Sequence, residues 1–402
     1  MGNGATRFIG LDIHKEYFVA VGVNAEREVI YGPRRVTNYQ LEDWMARQLT
    51  SADAVVLEMT TNAYVFYDTL LPHVHSVIVV HPASVALVTR AQVKTDQKAA
   101  QALAELHAVG LLSGVWIPPQ LVRDQRALIA QRAKMVRLAT IAKNRLHALL
   151  HRKLWVIVEN AFSPEQRGWW ESLTLTATER TLVGSDLDTL AFAERQVAEL
   201  EEHLKQESLQ DERMPFLIQL PGIAWLTALT ILAAIGDISR FESAKKLVGY
   251  AGLGTRVHDS GKMHTSGRIT KAGRKDLRQA MVNAANHAVQ YHPHWKQELA
   301  RLEPHLGRSK AIVAIARKLL VAVWHVLTRK VADRYAEPQD VARSFLAHTY
   351  KIGVKNLPAG KSGLLFTREQ LDQVGIGQEL QEVPWSSKQH KLPPSQLLLK
   401  KE

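Results

Sequence analysis

The chain has 402 residues, 46% of them hydrophobic, which is more than one ordinary core holds and predicts two or three packed domains. It has no cysteine, which excludes disulfides, thiolate metal sites and cysteine nucleophiles. It also has no HExxH spacing, no apolar leader and no run of about 18 uninterrupted apolar residues. A cytoplasmic, soluble protein without a membrane partner is expected. The net charge of +12 points to a polyanionic partner, and it is concentrated: residues 240 to 330 hold 18 Lys/Arg against 5 Asp/Glu.

In chain order, residues 6 to 23 read as two β-strands joined by a polar turn at His14 to Glu16, and Arg27 to Gly32 adds a third. A helix over Tyr39 to Leu49 leads to a buried strand at Ala54 to Glu58. A further helix, a strand at Ser76 to Val80 and a helix around Lys94 to Leu112 complete the region. Three strands, helix, strand, helix, strand, helix is the RNase H-like order, a mixed α/β domain around a central sheet. Residues from about 120 to 152 have a helical pattern dense in Arg and Lys. A second helix around Asp188 to Gln206 carries Leu190, Ala193, Val197, Leu200 and Leu204 at 3-4 spacing, a coiled-coil seam. The seam is short enough to serve either an antiparallel hairpin within the chain or a contact between copies, with Trp169, Trp170 and Pro164 packed at the tip of the connection. Leu220-Pro221-Gly222-Ile223 opens a compact helical domain, as a plain helical turn or as a helix-hairpin-helix whose N–H groups hold a phosphate. Helices follow at Trp225 to Ile235, Ser243 to Ala251, Lys275 to Tyr291 and Lys310 to Lys330. The Pro- and Lys-containing tail shows no clear period after Thr349 and is expected to be loosely ordered unless bound. The domain boundaries expected are 1–118, 119–212, 213–335 and 336–402.

Two groups of residues carry chemistry. Residues 252 to 273 place Ser260 in a glycine-punctuated basic loop, where Gly261, Gly267 and Gly273 allow close approach to an anion or a positive φ. Lys262, Arg268, Lys271, Arg274, Lys275 and Arg278 are there to neutralise phosphates. Lys143 and Arg145 on the long basic helix are further candidates for nucleic-acid contact, and His258, Asp259 and His264 are near enough in sequence to orient or deprotonate the serine. The second group is acidic. Asp12 ends the first strand, Glu58 ends the fourth and Asp96 starts the last helix, three places that converge in an RNase H-like sheet. Carboxylates brought together repel unless a cation neutralises them, so hard ions such as Mg²⁺ are the expected occupants. Two such ions would assist phosphodiester chemistry.

These segments resemble the DEDD transposases of insertion sequences, which join a RuvC-like domain to a C-terminal serine domain and include the Piv-type DNA invertases. The resemblance covers most of residues 6 to 330. It rests on Ile-Gly-Leu-Asp-Ile-His-Lys with Asp12, Leu-Glu-Met-Thr with Glu58, Lys94-Thr95-Asp96, Leu-Pro-Gly-Ile at 220 to 223, Gly-Asp-Ile-Ser-Arg-Phe at 236 to 241, and the stretch from Ser260 to Gly273. It implies a RuvC-like domain with Asp12, Glu58 and Asp96 as Mg²⁺ ligands, and a helical serine domain with Ser260 as the nucleophile that joins a DNA phosphate. It further implies a bridge RNA that selects donor and target DNA, an active site shared between protomers of a dimer or tetramer, and work on the nucleoid of a bacterial cytosol.

One position departs from the family pattern. Lys-Thr-Asp-x-x-Asp-Ala becomes Lys94-Thr95-Asp96-Gln97-Lys98-Ala99-Ala100, so Ala99 stands where the fourth acid belongs. Glu105, about two and a half turns beyond Asp96, is a poor substitute. Metal binding and chemistry are therefore expected to be impaired while nucleic-acid binding persists, and with every other motif intact an introduced change is favoured over a natural one. A RuvC-like hydrolytic nuclease such as a junction resolvase, a site-specific invertase and a non-catalytic binding protein are the competing readings.

Overall fold

The structure, a computed structural model, describes residues 5–83, 85, 95–260, 263–358 and 360–399, without the side chains of 257–260, 263–267 and 399. The chain divides into two compact units, Met1–Pro119 and Gln120–Glu402.

The first unit is built on five strands: β1 (Arg7–Ile13), β2 (Tyr17–Val23), β3 (Val29–Thr37), β4 (Asp53–Glu58) and β5 (Ser76–Val80), in the order β3-β2-β1-β4-β5. β1 pairs antiparallel with β2 and parallel with β4, and β4 runs parallel to β5. Three helices attach to it, α1 (Leu41–Gln48), α2 (Ala63–Leu70) and α3 (Asp96–Ala108). Strand alternation sorts the two faces. Ile9, Leu11, Val55 and Leu57 enter a core with Trp44, Phe66 and Leu70 of α1 and α2. On the opposite face Phe8, Val19, Val21, Ala54 and Val56 meet Ala100, Leu103 and Ala104 of α3. Gly10 makes that second layer possible, because a Cβ there would lie 2.0 Å from the Ala100 carbonyl oxygen. Buried Asp53 accepts Arg7 Nε at 2.8 Å and Nη2 at 2.6 Å, a two-pronged pair that ties the starts of β1 and β4 in register. The expected mixed α/β domain and its element order are present, and the sheet fits a RuvC-like fold.

The second unit begins with α4 (Gln120–Arg152). After a short helix, α5 (Arg167–Ser172), the chain returns along α6 (Ala177–Gln210). The two long helices lie antiparallel, as their cross-links show: Gln125 to Glu207 at 2.9 Å, Arg132 to Glu201 at 2.6 Å, Lys143 to Glu194 at 2.7 Å, Arg145 to Asp186 at 3.1 Å and Lys153 to Glu179 at 2.9 Å. The expected seam therefore faces α4 of the same chain. Leu190, Ala193 and Leu204 are buried there and Val197 and Leu200 half-buried, which removes the seam as a free contact between copies. At the tip Trp170 is buried, donates to Ala161 O at 2.7 Å and packs with Trp169, Leu146 and Leu150.

The elements that follow include α7 (Met214–Ile218), α8 (Trp225–Ile235), α9 (Ala244–Tyr250), β6 (Thr255–Ser260), β7 (Met263–Ile269), α10 (Lys275–Tyr291), α11 (Pro293–Leu306), α12 (Arg308–Arg329), α13 (Pro338–Ile352) and α14 (Gly363–Val374). α12 is long and apolar enough to cross a membrane by composition alone, and half of its apolar window is buried in the helical core. Gly222, at φ +78, serves close packing: a Cβ there would lie 2.2 Å from Ala284 O of α10. Of the two readings of that turn, helix packing accounts for its glycine.

Two expectations are corrected here. The glycine-punctuated segment is a β-hairpin over most of its length, with Val257 opposite Ser266 and His258 opposite Thr265, because β-branched and polar residues alternate along it. The tail is folded. Val341, Ala342, Phe345, Leu346, Leu371 and Val374 join the main helical core, and Arg368, 1% exposed, donates to Pro393 O at 2.8 Å and Gly377 O at 2.7 Å. The spacing 341, 342, 345, 346, 349, 352 on α13 is an ordinary amphipathic stripe, and burial of that stripe orders the segment.

Candidate catalytic centre

In the first unit, register assembles the acids. Leu11 of β1 is opposite Leu57 of β4, so Asp12 and Glu58 are the next positions at the C-terminal ends of two adjacent parallel strands. Both fall on the sheet face that α3 covers. α3 starts at Asp96, capped by Thr95, whose hydroxyl accepts Lys98 N at 3.3 Å, so the helix begins where the two strands end.

Asp12, His14 and Asp96 converge there, with one ligand atom from each within 4.8 Å of the others. His14 Nε2 lies 3.3 Å from Asp12 Oδ2 and 3.4 Å from Asp96 Oδ2, and it is buried without an aligned hydrogen bond. The turn beneath is fixed by its main chain: Asn38 and Asn62 donate to His14 O at 3.0 and 3.2 Å, and His14 N to Tyr17 O at 2.8 Å. Tyr17 donates its hydroxyl to Asp96 Oδ2 at 2.9 Å, beneath the Arg35 guanidinium, which lies 3.7 Å from the ring centroid. Burial raises the Asp12 carboxyl above its ordinary value, His14 opposes that shift and the Asp96 charge adds to it.

This donor set fits a divalent cation. Two carboxylates repel in a half-buried place, an imidazole nitrogen beside them lacks an aligned partner, and carboxylates with imidazole suit ions from Mg²⁺ to Mn²⁺. Glu58 is half-buried at the neighbouring strand end and lies outside this tight group among the described residues. Ala99 sits one turn after Asp96 on α3, and its methyl offers no ligand atom. Sequence reasoning passed over His14 and Tyr17. The signal for His14 was present, since two residues beyond Asp12 on an extended segment is the same face.

In the second unit, Ser260 ends β6, with its Cα partner Met263 across the hairpin; Gly261 and Lys262 lie outside the described residues. The base of the hairpin is clamped by main-chain bonds: Thr270 N to Gly254 O at 2.8 Å, Lys271 N to Gly252 O at 3.1 Å and Arg274 N to Tyr250 O at 2.8 Å. Gly273, at φ +136, sits so close to α9 that a Cβ would lie 2.2 Å from Tyr250 O. Arg278 donates to Ala251 O at 2.9 Å and Lys271 O at 3.3 Å, and Arg274 pairs with Asp276, Nε to Oδ1 at 3.0 Å. Those two arginines hold the hairpin base, whereas Arg268, Lys271 and Lys275 are exposed. Lys143 and Arg145 form ion pairs with Glu194 and Asp186 across α4 and α6.

Residues 9–154 match the transposase family model of the DEDD type in the IS110 group, and residues 214–300 match the transposase IS116/IS110/IS902 family. The chain belongs to the IS110-type transposases. Membership makes it a DNA-recombining enzyme with DNA as substrate. The first matched stretch of this transposase contains Asp12, His14, Glu58 and Asp96, and the second contains the whole Ser260 hairpin. Among its relatives, the transposase for insertion sequence element IS1111A of Coxiella burnetii is 26% identical over 82% of this chain and 91% of its own length. A probable family 20 transposase of Pseudomonas aeruginosa is 25% identical over 81% of the chain and 98% of its own. The pilin gene-inverting protein of Moraxella bovis is 38% identical over 29% of the chain and 37% of its own length.

Proposed function

We propose that this transposase moves an insertion sequence by cutting and rejoining DNA through a phosphoserine intermediate on Ser260, guided to donor and target by a bridge RNA. The Asp12–His14–Asp96 cluster carries this reading: it gathers charged ligands at the strand ends where a RuvC-like sheet performs phosphodiester chemistry. With Glu58, these residues would hold Mg²⁺ or a similar cation, which supplies charge neutralisation at the reacting phosphate. Ser260 Oγ forms a bond to phosphorus, the bond from phosphorus to the 3′ oxygen breaks, and the serine proton leaves to a base while the 3′ oxygen departs as a hydroxyl. Attack by another 3′ hydroxyl reverses the step, so no phosphodiester energy is lost to water. A serine needs activation to attack at neutral pH. His258, Asp259 and His264 are the near residues in sequence for that task. Arg268, Lys271 and Lys275 neutralise backbone phosphates, and base pairing with the RNA selects sequence. The protein works as a dimer or tetramer on the bacterial nucleoid, with the acidic unit of one protomer serving the serine of another. Ala99 leaves the acidic centre one carboxylate short, so this chain binds nucleic acid but turns over poorly.

The test is a denaturing gel with labelled target DNA, bridge RNA and Mg²⁺, comparing the chain, Ala99→Asp, and Ala99→Asp with Ser260→Ala. A covalent adduct is expected in the single variant and none in the double. Cut DNA without any adduct would replace this reading with a hydrolytic nuclease. The similarity to a pilin gene-inverting protein supports a second reading, site-specific inversion, and a substrate with inverted sites separates the two by whether the intervening segment flips or leaves.

A further inference from the structure

A cavity of about 660 Å³ opens in the second unit between α11, α12 and residues 331–335, far along the chain from both groups of residues above. Its size is within the range of roughly 300–1,000 Å³ typical of small-ligand sites. Three features of the wall are specific. The first is a stack: the His294 ring lies on Tyr335 with centroids 3.7 Å apart and planes 18° apart, and the Arg334 guanidinium is 4.5 Å from the centroid of the same tyrosine ring. The second is an unused donor. Trp295 is 4% exposed, and its indole N–H has no acceptor among the described residues; His325 Nδ1, in the same wall, is also buried without a partner. A buried indole N–H ordinarily finds an acceptor. The third is charge. The lining carries two carboxylates, Glu298, held down to about 2 by Arg301 and Lys318, and Asp333, whose Oδ2 accepts Tyr335 N at 3.1 Å, against Lys318, Arg334 and Arg329, the last exposed at the edge. Val326, Val331 and Ala322 supply apolar floor.

We propose that this cavity binds one unpaired nucleotide of the nucleic acid the transposase handles, its base against the His294–Tyr335 stack and its phosphate at Arg329 and Arg334. The inference rests on the nucleic-acid reading above and adds to it a site that reads single-strandedness. Aromatic and guanidinium surfaces accept the face of any base, and two cations suit the attached phosphate. A fully paired base cannot enter, because its edge and faces are already occupied in the duplex.

The experiment uses the full chain and short oligonucleotides with 2-aminopurine at an unpaired loop position, in DNA and in RNA form. Fluorescence reads the base and anisotropy reads total binding. Quenching of the probe is expected with the wild-type chain in the form, DNA or RNA, that supplies the nucleotide, and not when the probe is placed in a paired stem. Ala322→Trp, which fills the cavity, and Tyr335→Ala, which removes the stack, are expected to abolish the quench and weaken loop binding by about tenfold. Adenosine 5′-monophosphate is expected to reverse the quench without any substitution. Quenching that neither variant nor the mononucleotide relieves overturns the pocket while leaving nucleic-acid binding intact. If the wild-type chain raises no anisotropy with any oligonucleotide, the nucleic-acid reading fails and takes the pocket with it.

Discussion

The acidic cluster and the serine hairpin are held in opposite ways. Asp12, His14 and Asp96 are fixed from below, on a sheet whose register is locked by the buried Arg7–Asp53 pair and by a helix pressed onto Gly10. Among the described residues the hairpin is tied to its surroundings at its base, where Tyr250, Gly252 and Gly254 accept three main-chain bonds and Arg278 bridges two carbonyls. A site meant to hold an ion gains from rigid, repelling ligands, because the cation supplies what the protein withholds. A nucleophile that must reach a DNA backbone gains from standing at the end of a two-stranded projection. The comparison also separates Arg278, whose guanidinium is held by two main-chain carbonyls, from Arg268, which is exposed.

The largest effect is expected from the glycines on which each arrangement depends. Gly10→Ala puts a methyl into the Ala100 carbonyl and should cost about 3 kcal/mol, seen as a lower melting temperature and loss of any metal-induced stabilisation. Gly273→Ala strikes the hairpin instead: adduct formation in the Ala99→Asp background should fall at least about tenfold, with a smaller stability loss because Gly273 is exposed whereas Gly10 is buried beneath α3. Equal stability losses would erase the distinction drawn here. A smaller effect belongs to the ligands. In a Mn²⁺ titration by calorimetry, Asp96→Asn should weaken binding by about tenfold, near 1.4 kcal/mol, and Ala99→Asp should strengthen it. Unchanged affinity in Asp96→Asn would remove Asp96 from the ion site. The smallest effect separates the arginines and lysines. Lys275→Ala should lower the slope of log affinity against log salt by about 1, whereas Arg278→Ala should leave that slope alone and reduce adduct formation. A salt slope that drops equally in both would make Arg278 a phosphate contact.

Much of the first unit was legible because strands announce themselves by alternation and the acids stand at strand ends, where a chain leaves the sheet. His14 was missed although its spacing from Asp12 offered a signal, because only the approach of α3 shows that Asp96 faces it as well. The tail was misjudged for a related reason. Its prolines and lysines lower its average hydropathy, yet the stripe on α13 is apolar where it touches the core, and an average hides a stripe. Among the glycines of the basic segment, Gly273 takes the positive φ that was one of its two expected roles, and there it allows the chain to pass against α9.

The sequence by itself determined the element order of the sheet, the positions of Asp12, Glu58 and Asp96 on it and the concentration of positive charge around Ser260. These are local properties, written in periodicity and residue type. Only the tertiary structure decided that His14 completes the acidic cluster, that the seam of α6 is covered by α4 of the same chain, that Arg278 braces the hairpin and that a cavity forms beside Tyr335. Each of these joins residues from different elements, and which face one element turns to another is set by the packing of the whole unit, where burial of apolar surface outweighs any local preference.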